Sequence, residues 1–286
     1  MKSKELILEC YEKFHLPQYL EWDPLLIIHR YKNHEDLELV ALICALFAFG
    51  GVKQIIASVE RALQLLGPNL WQWLQSEEDE NRVAELLLQR LEGFKHRIYV
   101  GRDLVMLLLI YRRSKLAHGS LENHFLKYHS AAEETVGLGL TGLIADLKSA
   151  EQKITFRPGL HFKHMLNSPA QGSTCKRWLM YLKWMIRADD GIDIGLWVQS
   201  PGLRPDQLVI PLDVHLFNIS KKLRLTRKKT ANWLTAVDVT RQLKKIDALD
   251  PLKFDFAICR WGMFDYRKKL TGTLESIPSL RKASRG

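Results

Sequence analysis

Residues 36–67 read DLELVALICALFAFGGVKQIIASVERALQLLG, and this stretch decides the fold class. From Leu39 to Phe49 it is apolar on nearly every side, the pattern of a helix in the middle of a bundle. A helix starting at Asp36 is expected, and Gly50-Gly51 ends it. Beyond the break, Val52, Ile55, Ile56, Val59, Leu63 and Leu66 fall on one helical face. Gly67-Pro68 then closes the second helix as a cap followed by a breaker.

Similar patterns extend to both sides. Residues 3–14 place Leu6, Cys10 and Phe14 at four-residue steps, and Pro17 with the WDP segment at 22–24 interrupts them. Further helices are expected at 69–75, 79–92, 102–115, 120–129 and 141–150. In the C-terminal half they are expected at 214–224, 232–245 and 251–262, the last with Asp250 as N-cap and Pro251 in its first position. No strand-like alternation runs beyond a few residues and no internal repeat is present, so the expected fold is all-α. The tail from Arg267 to Gly286 carries Arg267, Lys268, Lys269, Arg281, Lys282 and Arg285 and is expected to fray.

Bulk properties narrow the class of partner. The chain has 286 residues, 47% of them hydrophobic and 26% charged, which excludes a disordered chain. Its net charge of +10 suits a polyanion, most often a nucleic acid. Cys10, Cys44, Cys175 and Cys259 are scattered without ligand spacing, so neither a metal site nor any other cofactor is expected. The longest uncharged apolar run, residues 39–52, is shorter than the ~20 residues that span a bilayer. No signal peptide is recognisable, and a reduced cytoplasmic setting is expected.

Two segments carry the candidate chemistry. LNSPAQGSTCKRWLMYLKWMIR, residues 166–187, puts Lys176 at the start of a helix behind a Ser-Pro-Ala-Gln-Gly-Ser turn. VIPLDVHLFNISKKL, residues 209–223, puts Asp213 at the start of another. The two stand 37 positions apart, so only the fold brings them together. Taken alone, Asp213 is a helix cap and Lys176 a solvated lysine.

The second segment resembles the aspartate-bearing phrase of the helix-hairpin-helix DNA glycosylases, in which (V/I)-P-(V/L)-D-x-H precedes a helix with a basic end. Pro211, Asp213 and His215 fall on that phrase without a gap. Residues 168–176 look like a degraded form of the hairpin that precedes the nucleophilic lysine of bifunctional members. The chain also resembles a bacterial family of unknown function carrying the phrases S-P-x-x-G-S-x-C-K-R and P-L-D-V-H. Three departures stand out. Of the usual L-P-G-(V/I)-G hairpin only Gly172 is kept. The lysine-to-aspartate spacing is nearest the archaeal 8-oxoguanine glycosylases, and there is no cysteine cluster for an iron–sulfur centre.

The resemblance implies two helical domains with a cleft between them. Residues 34–186 are expected to form one, carrying the hairpin and Lys176. Residues 1–33 with 210–286 form the other, carrying Asp213, and 187–209 is an inserted linker. The implied activity is base-excision repair, hydrolysing the N-glycosidic bond of a damaged base that the long spacing implies is an oxidised purine, with damaged DNA as partner and a monomer acting in the bacterial cytosol or nucleoid. Lys176 is the implied nucleophile and Asp213 the carboxylate that stabilises an oxocarbenium-like transition state. An ordinary lysine is about one part in a thousand neutral near pH ~7.4, equivalent to about 4 kcal/mol of barrier.

The remaining candidates follow from this frame. Gly172, Ser173, Thr174 and Arg177 at the helix start are expected to meet DNA phosphates, with free N–H groups at 173–175. Lys221, Lys222, Arg227, Lys228 and Lys229, in a run with six basic residues in nine, are expected to meet them too. A flipped base needs an aromatic pocket, for which Trp178, Trp184, Trp197 and Trp261 are candidates, with His215 beside Asp213. The same features also fit a DNA- or RNA-binding helical protein that has lost the chemistry, and, further off, a helical scaffold whose charge is incidental.

Overall fold

A computed structural model describes residues 2–31 and 33–266, so the basic tail and its expected fraying lie outside the described residues. The described chain is mostly helical. Its first half runs α1 (Lys2–Phe14), α2 (Leu25–Arg30), α3 (His34–Leu46), α4 (Val52–Leu66), α5 (Leu70–Ser76) and α6 (Glu80–Arg90). A two-stranded hairpin of β1 (Lys95–His96) and β2 (Tyr99–Val100) leads into α7 (Gly101–His118), α8 (Leu121–Leu126) and α9 (Gly137–Gln152). The second half holds α10 (Lys176–Ile186), α11 (Val214–Lys222), α12 (Trp233–Lys244) and α13 (Lys253–Trp261). Among the described residues no helix is long and apolar enough to cross a membrane.

The all-apolar stretch that decides the class is α3, buried from Asp36 to Leu46. It begins two residues before the expected start, because Asn33 accepts the N–H of Glu35 at 3.1 Å and so caps it. Asp36 therefore does not cap its own helix. Its two oxygens accept the N–H groups of Leu70 at 3.0 Å and Trp71 at 2.6 Å, closing the start of α5. Two residues on, Glu38 takes the N–H groups of Leu121 and Glu122 at 3.1 and 3.2 Å and so closes α8. Two carboxylates are thus buried in the central helix because each satisfies amides that another helix leaves open.

Two other expectations are revised. A helix is expected only from residue 141, yet α9 starts at Gly137 and takes in the preceding GLGL. A Cβ at Gly142 stands only 2.2 Å from the Tyr128 ring, and one at Gly139 lies 2.7 Å from Phe125. These glycines let α9 approach the end of α8, and close approach outweighs their low helix propensity. Asp250 does not cap α13, whose preceding residue is Leu252; its carboxylate instead binds Arg187 at 2.8 Å.

The expected linker at 187–209 is packed structure. Ile192, Asp193, Trp197, Gln207 and Leu208 are at most 1% exposed, and the carbonyl of Trp184 accepts the N–H groups of Ile194 and Gly195. One apolar cluster reaches from Ile7 to Ile258. Within it α10 lies against α3, while α13 is flanked by α1 and α11. These packings bring the starts of α10 and α11 together.

Candidate functional site at the starts of α10 and α11

Lys176 is the first residue of α10, and the turn before it is built from its own side chains. Ser168 and Gln171 exchange hydrogen bonds with the backbone around Pro169, and Gly172 takes a left-handed φ of 73°. Ser173 Oγ then accepts the N–H of Cys175 at 3.1 Å, so that amide, expected free for a phosphate, is occupied. Cys175 follows with φ of 47°, uncommon for a side-chain-bearing residue, and is buried. The chain turns sharply there and enters α10 with Lys176 outward.

Asp213 divides its carboxylate between two tasks. One oxygen accepts the N–H of Leu216 at 2.7 Å and caps α11. The other pairs with Lys176 Nζ at 2.9 Å. Burial alone would raise the Asp213 pKa, but the Lys176 charge, the Leu216 amide and His215 outweigh it and hold the carboxyl low. The Lys176 and Asp213 side chains are 31% and 37% exposed. An ion pair this open contributes about 0–1 kcal/mol, so a ligand can open it at little cost.

The pair lines a cavity of about 620 Å³, within the range that encloses a small molecule. Trp22, Phe49, Met180, Trp184 and Phe256 give it apolar faces. Lys183, Asp255, Asp23 and Arg260 line it with charge. Lys183 pairs with Asp255 at 2.9 Å and faces Asp193 at 3.7 Å, all three almost wholly buried. Burial pulls the Lys183 pKa down, but the two carboxylates more than offset this and it ends raised. Burial likewise pushes the Cys259 thiol well up, and Asp255, Asp213, Arg260 and Lys176 all act on it.

The expected residues fall into three groups. Lys176, Asp213, Ser173, Thr174, Trp178, Trp184 and His215 line the cavity together. Trp178 donates its indole N–H to the Met165 carbonyl at 2.8 Å, and His215 Nε2 is buried without a hydrogen-bond partner among the described residues. Trp197 does not belong to the wall: it is buried against Tyr181, with ring centroids 5.4 Å apart. Trp261 does not line the cavity either.

Arg177 also departs from expectation. It faces inward, donating to the Leu46 carbonyl at 2.7 Å, the Tyr99 hydroxyl at 2.6 Å and the His164 carbonyl, so its guanidinium anchors α10 instead of meeting phosphate. The basic run is apart from the cavity. Lys221 and Lys222 are exposed at the end of α11, and Arg227, Lys228 and Lys229 are exposed on the loop that follows. Gly172 is exposed at the turn, and its carbonyl accepts the N–H of Trp233 at 3.2 Å.

Sequence reasoning passed over Asp23, Phe49, Lys183, Asp255 and Arg260. Lys183 offered a signal, a charge inside the otherwise apolar run LMYLKWMI seven residues after Lys176. The others offered none. Among the described residues, no three His, Cys, Asp or Glu side chains stand together as a metal site.

Residues 23–264 match the profile of a family described as a protein of unknown function, DUF2400. The chain belongs to this DUF2400 family. No curated protein and no solved structure matches it. The region shared with the DUF2400 profile begins at Asp23 and ends at Phe264, and so contains Lys176, Asp213, Lys183, Asp255 and Arg260. Helix α1 lies before it.

Proposed function

We propose that this protein is a DNA base-excision glycosylase with abasic-site lyase activity. The observation that carries the reading is the 2.9 Å contact between Lys176 and Asp213 at the edge of an aromatic cavity. In this reading residues 34–186 form one helical part and 1–33 with 210–286 another, in the manner of the helix-hairpin-helix glycosylases. The cavity is their cleft, with Phe49 and Met180 from the first part and Asp23, Asp213 and Phe256 from the second.

A damaged nucleotide leaves the stack and enters the cavity, where the apolar faces cover its base. The sugar displaces Asp213 from Lys176 and sets C1′ beside both. As the C1′–N bond breaks, its electron pair leaves with the base, and positive charge spreads over C1′ and the ring oxygen. The Asp213 carboxylate stabilises that charge. Lys176, freed from Asp213, first gives one ammonium proton to solvent; the neutral amine then forms the Nζ–C1′ bond, and the second proton lost from nitrogen ends on the departing base. Opening of the sugar ring gives a Schiff base, from which strand cleavage follows by elimination. Lys221, Lys222, Arg227, Lys228 and Lys229 supply a positive surface for the flanking phosphates.

A non-catalytic DNA- or RNA-binding role is the second reading, favoured by the exposed basic run of Lys221, Lys222, Arg227, Lys228 and Lys229, which lies apart from the cavity. Borohydride reduction of the protein on an abasic-site oligonucleotide separates the two. A covalent adduct in the wild type, absent in Lys176→Gln, is the expected result. No adduct, with salt-dependent binding intact, overturns the lyase reading in favour of binding alone.

A further inference from the structure

Asp23 and Arg260 line the cavity of Lys176 and Asp213 but take no part in the chemistry above. Arg260 lies in the last turn of α13, is 2% exposed, and stacks its guanidinium 4.4 Å from the Phe256 ring centroid. Its Nη2 donates to Asp23 Oδ2 at 2.5 Å. Among the described residues, Nη1 meets only the sulfur of Met263, at 3.3 Å, and the buried Nε has no partner. Asp23 is itself held, its other oxygen accepting the N–H of Leu25 at 3.1 Å.

A guanidinium has five N–H donors and no acceptor. Here it has one strong oxygen acceptor and one weak thioether, at a depth where a donor without a partner is unfavourable. Phe256 stacks on its face and Asp23 holds one edge, which sets its plane. The aromatic side chains of Trp22, Phe49 and Phe256 line the same cavity and give a flat ring an apolar surround. A ring turning only amino groups toward Arg260 would set donors against donors. A ring turning a carbonyl oxygen there supplies the missing acceptor.

We propose that Arg260, oriented by Asp23, selects the excised base by requiring a ring carbonyl. The substrate class is an oxo-bearing base, and Arg260 is the residue that distinguishes it from its deoxo counterpart. This rests on the glycosylase reading of the same cavity and adds to it the chemical feature that is recognised.

The test measures binding, so it does not depend on turnover. Lys176→Gln protein is titrated by fluorescence anisotropy with duplexes holding a single hypoxanthine or purine, and a single 2-oxopurine or purine. Each pair differs by one ring carbonyl. The carbonyl member is expected to bind about 10- to 100-fold more tightly. Adding Arg260→Gln, or Arg260→Lys, which keeps the charge but not the fork, is expected to bring each pair within about threefold. Equal affinity within both pairs in Lys176→Gln protein overturns the proposal. So does a preference that survives Arg260→Gln with circular dichroism and melting unchanged; if that variant misfolds, Arg260→Lys decides in the same way. Failure of the glycosylase reading is distinguishable, because it is seen as neither base release from a damaged duplex by the wild type nor a borohydride adduct on an abasic site, which has no base for Arg260 to meet.

Discussion

Lys183 Nζ stands 2.9 Å from Asp255, seven residues along α10 from Lys176, and water reaches neither partner appreciably. The two lysines share a helix face and a cavity, yet differ in exposure, 31% for Lys176 against 3% for Lys183. One pair is open enough to exchange its partner for a ligand; the other holds α10 to α13. Lys183→Met is expected to cost about 3–5 kcal/mol, because it leaves a buried carboxylate uncompensated. Replacing both residues, as Lys183→Met with Asp255→Leu, is expected to recover part of that loss. Urea unfolding at constant ionic strength measures both, and a single variant within about 1 kcal/mol of wild type contradicts the structural role.

Asp36 and Glu38 make a second, independent test of the core. Asp36→Ala strands the amides of Leu70 and Trp71 and is expected to cost about 3 kcal/mol. Asp36→Asn keeps one acceptor and should cost less. Hydrogen exchange at Leu70 and Trp71 locates the effect: faster exchange confined to α5 is expected, and uniform acceleration through the chain argues against local capping.

At Asp213 the cap and the ion pair can be separated. Asp213→Asn keeps an oxygen for the Leu216 amide, so the stability of α11 should change little, whereas borohydride trapping should fall at least about 100-fold. Asp213→Ala removes both and should lose about 1 kcal/mol of stability as well. Equal trapping by wild type and Asp213→Asn would show that the carboxylate charge is not used.

The low pKa of Asp213 also predicts a pH dependence. Its carboxyl is more acidic folded than unfolded, so its contribution to stability is complete above the unfolded value of about 3.9. It fades as pH falls through the lower folded value. Lys176→Gln removes the foremost cause of the depression and should flatten the loss of stability below pH ~4. Melting temperature against pH measures this, and an unchanged acid limb would mean that the bridge does not persist in solution.

On the exposed loop after α11, Arg227→Gln with Lys228→Gln and Lys229→Gln should leave stability within about 0.5 kcal/mol of wild type. If the loop contacts phosphates, the slope of log affinity against log salt should fall by about 0.9 for each contact removed on duplex DNA. An unchanged slope places the phosphate contacts elsewhere on the surface.

Much of the fold was legible in the sequence because helix periodicity is local. The apolar run of α3, the single buried face of α4 and the Gly67 stop all follow from spacings within one or two turns. The turn at 168–172 and the cap at Asp213 were readable for the same reason. The start of α9 was not, since its glycines answer to the rings of Phe125 and Tyr128 on another helix. Nor was the inward course of Arg177, whose carbonyl partners lie on segments distant in the chain.

The sequence by itself determined the all-α class, most of the helices and their buried faces, the basic balance, and the two turns that present Lys176 and Asp213. Only the tertiary structure decided that these two side chains meet. It also decided that Lys183 is sealed with Asp255, that Asp36 and Glu38 cap foreign helices, and that Asp23 and Arg260 close the same cavity. The physical reason is one of range. An apolar face is written in residues three and four apart, whereas the partner of a buried charge is set by which helices pack together.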